Sequence, residues 1–298
     1  MSFIIISVAV VLLAYLVPAL LYRRTSYYSC TKKPYYRAAF DRGNYGEYLT
    51  YMVLRKYEKD GARFLFNCYL KKEDDQTTEI DVMMIHRSGI YVFESKNYSG
   101  WIFGSGNSKY WTQTLPNGRR AHKEHFLNPI FQNNLHIKYL TKCIGQEMPI
   151  YSVVVFSNRC TLKKIDNVNG DVTVVKRNEM RKAVRAIEQK AKDALQPDRV
   201  TELYEMLYPY TQVTEEVKQK HIADIKSSLL EQNMSDTANP QPYFESANET
   251  VAKTNGQICP KCGGSLVLRV ANKGNNSGKE FYGCSNFPKC RYVKNKEE

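Results

Sequence analysis

No internal repeat runs along this chain, which excludes a solenoid or a propeller. Acidic residues are in deficit: 30 Asp and Glu stand against 43 Lys and Arg, a net charge of +13. That imbalance suits a polyanionic partner, nucleic acid or an acidic lipid surface, and says nothing about fold. Charge is absent altogether from residues 3–22, FIIISVAVVLLAYLVPALLY. A run of this length matches one bilayer span and is long for a buried core helix. Nothing basic precedes it and no clear small-residue cleavage site follows, which argues against a cleaved signal peptide. Cysteine is sparse before residue 259, where Cys30, Cys68, Cys143 and Cys160 are scattered as reduced core or surface residues. With 43% hydrophobic and 24% charged residues the chain still has enough apolar material for a real core.

What is present begins with the apolar run. Arg23, Arg24, Lys32, Lys33 and Arg37 follow it. The positive-inside rule then predicts a single-pass anchor in the cell (inner) membrane, N-terminus outside and body cytoplasmic. Pro18 is tolerated in such a helix. Residues 1–24 are read as the transmembrane segment and 25–37 as a basic juxtamembrane stretch. Residues 41–60 predict a loop entering an amphipathic helix, with Tyr48, Leu49, Met52 and Val53 on its apolar side. Strands follow at 62–70 and across 79–96, with short ones near GWIFG and KYWTQTL, then a turn at LPNGRR. Asn128-Pro129 starts a helix. IYSVVVFSN and DVTVVK are strands, and helices fill roughly 178–194 and 198–208. This order predicts an α/β domain with a mixed central sheet over 38–210. Apolar density falls from 211 to 257, which reads as a linker, helical in its first half and disordered in its second.

The chemistry concentrates in EIDVMMIHRSGIYVFESKNYSG, residues 79–100. If the turn is centred on Arg87-Ser88, His86 pairs with Gly89 and counting back puts Asp81 opposite Glu94. A three-residue loop with Gly89 in the left-handed region would shift this by one position and still leave the two close. Directly paired Cβ atoms lie about 5 Å apart. Two carboxylates that close in an apolar setting repel unless a cation lies between them. Oxygen ligands favour Mg²⁺ or Mn²⁺. Lys96 shares the strand face of Glu94, where an ammonium can hold a water or stabilise a pentavalent phosphorane. The bland alternative is a solvated strand end with a weak ion pair.

These residues resemble the nuclease-related domain, NERD, a branch of the restriction-endonuclease-like superfamily with a (D/E)…(D/E)-x-K core. The resemblance runs from GNYGEY (43–48) through residues 79–104 and NPIFQNNLHIKYL (128–140) to IYSVVVFSN. It implies an αβββαβ core, Asp81 and Glu94 as metal ligands and Lys96 as the catalytic lysine. It also implies Glu47, on the first helix, as a further acidic site residue, and Gln132 as a residue that orders the site. By themselves Glu47 is an ordinary helix-start carboxylate and Gln132 is unremarkable. His122 and His125 flank Glu124 in a short loop, and His136 sits one turn after Gln132. Exposed polar positions, or a phosphate contact for His136, are the simplest readings of these three.

Near the end, Cys259-x2-Cys262 and Cys284-x5-Cys290 form two knuckles whose thiolates can converge on one tetrahedral Zn²⁺. The stretch CPKCG…FYGCSNFPKC resembles the C-terminal zinc ribbons of type IA topoisomerases, which implies binding of single-stranded DNA. Residues 258–298 carry eight Lys/Arg and three Glu, an excess of +5. Phe281, Tyr282, Phe287 and Tyr292 are available for base stacking or for the ribbon's small core. The combined expectation is a membrane-anchored, metal-dependent nuclease acting on DNA, with a DNA-binding zinc ribbon at 258–298. The alternatives are a non-catalytic, membrane-tethered DNA-binding protein and an enzyme acting on lipid phosphate; the second leaves the ribbon unexplained.

Overall fold

The hydrophobic pattern over 62–96 becomes three adjacent strands buried on both faces in the computed structural model, which describes residues 2–117, 120–191, 195–238, 254–270, 280–284 and 290–295. The chain forms two units, Met1–Glu231 and Gln232–Glu298. In the first, helices α1 (Ser2–Arg23), α2 (Ser26–Thr31), α3 (Tyr35–Phe40) and α4 (Arg42–Leu54) precede strands β1 (Arg63–Lys71), β2 (Thr77–His86) and β3 (Gly89–Lys96). Strands β4 (Gly100–Ser105), β5 (Tyr110–Asn117) and β6 (Arg120–Leu127) come next, then α5 (Pro129–Ile144). The unit continues with β7 (Ile150–Phe156), β8 (Cys160–Asp166), β9 (Val172–Lys176), α6 (Met180–Lys190) and α7 (Pro197–Leu207). Helix α8 (Glu215–Ala238) follows. One sheet has the order β1-β2-β3-β7-β9, the other β6-β5-β4-β8. Both are mixed, because β3, β7 and β9 run parallel while β1, β2 and β3 alternate, and β4 is parallel to β8 but antiparallel to β5. The mixed α/β expectation holds.

The two faces of the first sheet explain why β1–β3 are apolar throughout. Phe64, Phe66, Val82, Met84, Tyr91 and Phe93 pack on one side with Tyr27, Tyr51 and Leu54 of α2 and α4. Leu65, Met83, Ile85, Ile90 and Val92 pack on the other with Leu140 of α5 and Leu203 of α7. Each such side chain contributes roughly 1.5–3 kcal/mol by leaving water. Helix α5 starts as its sequence predicts: the Asn128 side chain accepts from Ile130 N, and Pro129 occupies the first turn. Helix α4 is rotated from the expected face. Its fully buried stripe is Glu47, Thr50, Tyr51 and Leu54, whereas Tyr48, Met52 and Val53 are partly covered.

The β2–β3 turn is as expected, with His86 paired to Gly89. Gly89 has φ of +134°, and a Cβ there would lie 2.5 Å from Pro149 O. Gly89→Ala is therefore expected to cost about 1–3 kcal/mol, read as a lower urea midpoint. An unchanged midpoint would show that the turn has slack.

The transmembrane expectation for residues 3–22 is not borne out: among the described residues no helix is long and apolar enough to cross a membrane. The run is helical in α1, but its last turn belongs to the domain. Tyr22 is fully buried, donates its hydroxyl to Lys33 O at 2.8 Å and packs against Tyr27, Tyr28, Tyr35 and Tyr48. Tyr15 also meets Tyr35, at 5.5 Å between ring centroids. Tyr15 and Tyr22 thus pack on α2–α4, while Leu16, Val17, Leu20 and Leu21 between them stay exposed. The membrane placement and orientation expected above rested on that span.

Within the stretch expected as a linker, the first turns of α8 are docked. His221 is buried, its ring meets Tyr69, and its Nδ1 lies 2.9 Å from Thr77 Oγ1. The half expected to be disordered falls largely on 239–253, outside the described residues. In the second unit, strands β10 (Thr254–Ile258), β11 (Ser265–Val270), β12 (Glu280–Cys284) and β13 (Val293–Asn295) form an antiparallel sheet in that order. Phe287 lies outside the described residues.

Candidate active site and metal centre

The β2–β3 ladder runs from His86–Gly89 to Val82–Phe93, so the next rung carries Asp81 and Glu94. Ser95 N donates to Asp81 Oδ2 at 3.1 Å, which pins Asp81 to the strand of Glu94 and Lys96. Lys96 Nζ lies 2.6 Å from Glu94 Oε1. From α5, His136 Nε2 lies 3.1 Å from Glu94 Oε2, and its Nδ1 lies 2.7 Å from Thr78 Oγ1 of β2. Glu94 is thus held by two groups, one on each oxygen.

The third carboxylate arrives through a backbone irregularity. β1 pairs Phe66 with Val82 and Cys68 with Ile80, which leaves Asn67 facing Asp81. Asn67 has φ of +50°, the left-handed region that Asn tolerates better than most residues. Its Nδ2 donates to Glu47 Oε2 at 3.2 Å, and its Oδ1 accepts from Lys33 Nζ at 2.9 Å. Tyr27 OH also donates to Glu47 Oε2, at 3.1 Å. Glu47 therefore enters the site from the α4 side, fixed by α2 and β1.

The charges do not balance. Burial, then Glu94, then Glu47 drive the Asp81 pKa well above the usual carboxylate range, with Lys96 only partly opposing them. Glu47 is raised too, chiefly by burial, with Lys33 opposing. Burial would also raise Glu94, but Lys96 and His136 outweigh it and hold its pKa down at about 2. Burial would lower Lys96, yet Glu94 and Asp81 outweigh it, so the ammonium keeps its proton. Three acidic groups stand against Lys96 and, on the Glu47 side, Lys33, which leaves an acidic excess that a divalent cation would relieve.

The donors fit such a cation. Asp81 and Glu94 offer hard carboxylate oxygens, and Gln132 Oε1 is buried with no hydrogen-bond partner. Gln132 sits on α5 one turn before His136. A magnesium ion retains several waters and needs few protein ligands. Among the described residues, the compact group of three or more ligating side chains is a different one: Cys259, Cys262, Cys284 and Cys290, whose sulfurs all lie within 4.8 Å of one another. The Cys259–Cys290 and Cys262–Cys284 sulfur separations are 3.7 and 3.3 Å. Gly263, at φ of +72°, turns the first knuckle, and its N donates to Cys259 O at 2.9 Å. Tyr282 and Tyr292 pack on this cluster with Leu266. The four cysteines are positioned for zinc.

The structure brings Glu47, Asp81, Glu94 and Lys96 together and places Gln132 on the adjoining face of α5. His122 and His125 lie on strand β6 rather than in a loop; His122 bonds Glu124 at 2.9 Å, both well exposed, and His125 contacts Thr112. Sequence reasoning underrated His136 and did not single out Asn67, Tyr27 or Thr78. Two signals were available: His136 is four residues after Gln132, and Asn67 interrupts the apolar strand RFLFNCYL.

Fold and site define a nuclease-related domain joined in one chain to a C4 zinc ribbon. The nuclease-related domain model matches residues 42–157, and the topoisomerase DNA-binding C4 zinc finger model matches residues 256–298. The chain belongs to one family with an uncharacterized protein of Bacillus anthracis, 30% identical over 191 residues, which span 64% of this chain and 87% of that protein. The ribbon segment is 48% identical over 50 residues to DNA topoisomerase 1 of Helicobacter pylori, 17% of this chain and 6% of that enzyme. It is likewise 48% identical over 48 residues to DNA topoisomerase 1 of Methanocaldococcus jannaschii, 15% of this chain and 6% of that enzyme. No solved structure matches.

Proposed function

We propose that this protein is a metal-dependent nuclease that hydrolyses DNA phosphodiester bonds and binds single-stranded DNA through its zinc ribbon. The observation that carries the reading is the Asp81–Glu94–Lys96 group, in which Glu94 is buried and the other two are partly buried, with Glu47 beside it and the buried Gln132 Oε1 unpartnered on the helix that carries His136. Asp81 and Glu94, with Gln132, would hold Mg²⁺ or Mn²⁺, which supplies Lewis-acid activation of water and neutralises phosphate charge. Lys96 is charged because two carboxylates raise its pKa. It therefore acts as an electrostatic group that stabilises the developing charge, and not as a base that removes the water's proton. Glu47, held by Asn67 and Tyr27, sets the acidic field around Asp81. The ribbon contributes the topoisomerase-type fold, its basic excess and Tyr282 and Tyr292.

The test incubates the full chain with supercoiled plasmid, linear duplex and single-stranded DNA, with and without Mg²⁺. Mg²⁺-dependent cleavage that disappears in Lys96→Ala is expected. Binding without cleavage on every substrate would favour a non-catalytic DNA-binding protein instead.

His136 orients Glu94 and anchors to Thr78, the second contact that fixes a ligand's angle. His136→Ala is expected to raise the Mg²⁺ concentration for half-maximal cleavage by roughly 10–100-fold. The maximal rate should fall less, and an unchanged Mg²⁺ titration would remove His136 from this role.

A further inference from the structure

Beyond the carboxylate site, Arg159 and Arg177 lie at the strand ends next to it, and among the described residues neither pairs with a carboxylate. The parallel strands β3, β7 and β9 end side by side, with Lys96, Phe156 and Lys176 on one rung. The next residues stay in register: Ser157 N donates to Lys96 O at 3.0 Å, and Arg177 N donates to Phe156 O at 2.8 Å. Arg177 is only 5% exposed, and its Nε is buried without a partner. Its Nη2 makes one long contact, 3.4 Å, to Gly46 O of α4. Exposed Arg159 is fixed nearby. Its Nε donates to Ser157 Oγ at 3.3 Å, and its Nη2 donates to Asn97 O at 2.9 Å and Asn97 Oδ1 at 3.2 Å. Burial and the Arg159 charge both lower the Arg177 pKa.

Burying a cation beside another cation is costly unless an anion completes the arrangement. A guanidinium fork suits the oxygens of a phosphate, and Arg159 is already oriented by three hydrogen bonds. The basic character continues from Arg177 through Asn178 into a cavity of about 610 Å³ lined by Arg181, Lys182 and Arg185, with no acidic residue. The β9 end lies two strand spacings from β3, about 10 Å, which lies between one and two phosphate-to-phosphate steps of roughly 6–7 Å along a DNA strand.

We propose that Arg159 and Arg177 form a phosphate-binding site that holds a non-scissile phosphate of the DNA backbone roughly one to two nucleotides from the reacting centre. The position of the cut rests on the nuclease reading; the anion site itself does not need turnover. A phosphate held here fixes the register of the strand across the strand ends without reading its bases.

The full zinc-loaded chain, without Mg²⁺ so that nothing is cut, is titrated with a labelled short DNA duplex over a range of salt. Arg159→Ala is expected to weaken binding severalfold and to reduce the slope of log K against log salt by about 1, with little change in melting temperature. Arg177→Lys keeps the charge but not the fork and should also weaken binding, while Lys142→Ala, distant in sequence and paired with Glu73, should not. Wild-type affinity and slope in Arg159→Ala would overturn the proposal. So would a melting-temperature loss in Arg177→Lys with no binding change in either variant, which marks a structural strut. Inorganic phosphate supplies the other arm: if it stabilises wild type but not Arg159→Ala while duplex affinity is unchanged, the site takes a free phosphate and the strand assignment is overturned. If the wild type never cleaves yet the arginine variants bind weakly, the nuclease reading falls and the phosphate site stands.

Discussion

Asp81→Asn is expected to abolish Mg²⁺-dependent cleavage and, in the same protein, to raise the melting temperature of the metal-free chain. The first effect follows from losing one of the two carboxylates proposed to hold the ion; a rate loss of roughly 10²–10³-fold or more is the scale for a central electrostatic group. The second follows from the sign of the pKa shift. Burial, with the Glu94 and Glu47 charges, raises Asp81 well above its ordinary value. A raised carboxylate binds its proton more tightly folded than unfolded, so its contribution to stability is lost as pH rises through the ordinary and then the folded pKa. At neutral pH an amide, which never ionises, removes that liability. The metal-free variant is therefore expected to melt above the wild type at neutral pH, by a margin that narrows as pH falls toward the ordinary carboxylate range. Glu47 shifts in the same direction and adds to the slope. His86 and His221, both lowered chiefly by burial, oppose it below their ordinary pKa, so the difference between wild type and variant above pH 6.5 isolates Asp81. Thermal melts with Mg²⁺ should show the wild type catching up with the variant. Equal melting temperatures across pH would mean that Asp81 is not under the strain described.

Removing zinc should have the larger effect on the second unit. Its core among the described residues is Leu266 with Cys259, Cys284 and Cys290, and Tyr282 and Tyr292 pack against them. So small a core does not hold a fold by itself, whereas zinc-finger sites bind their ion with an apparent ~10–16 kcal/mol. Cys262 is the exposed member of the four cysteines, so Cys262→Ser disturbs packing least. The variant is expected to lose tight zinc binding, to become protease-sensitive between 254 and 295, and to bind single-stranded DNA at least about tenfold more weakly. One zinc per reduced wild-type chain, measured by atomic emission, is the companion result. A reduced chain free of zinc would remove the four-cysteine assignment.

Some of this was decided within short stretches of chain. The two cysteine knuckles are local, because ligands separated by only two and five intervening residues lie near one another along the chain. The β2–β3 hairpin is local as well: Gly89 and the turn set the pairing, and every rung back to Asp81 and Glu94 follows. Asn128-Pro129 started α5 for the same reason, a cap acting on its own first turn.

The rest depended on contacts between distant segments. The buried face of α4 was misread because Glu47 and Thr50, polar residues, occupy it; only β1 and α2 supply the partners, Asn67 and Tyr27, that make burying Glu47 tolerable. His136 joined the site because α5 packs across β2 and β3, where Thr78 and Glu94 meet its two nitrogens. Arg159 and Arg177 became neighbours through the parallel pairing of β7 and β9. The apolar N-terminal run was as clear in the sequence as any feature, yet whether its last turns face lipid or protein is a matter of competition between solvents for the same surface. Tyr22, buried among four other tyrosines, records that this domain took part of it. Hydrophobicity and spacing thus determined which residues avoid water and which lie adjacent along the chain. Which charges face one another, and hence what chemistry they share, was decided only when packing brought the helices onto the two faces of the sheet.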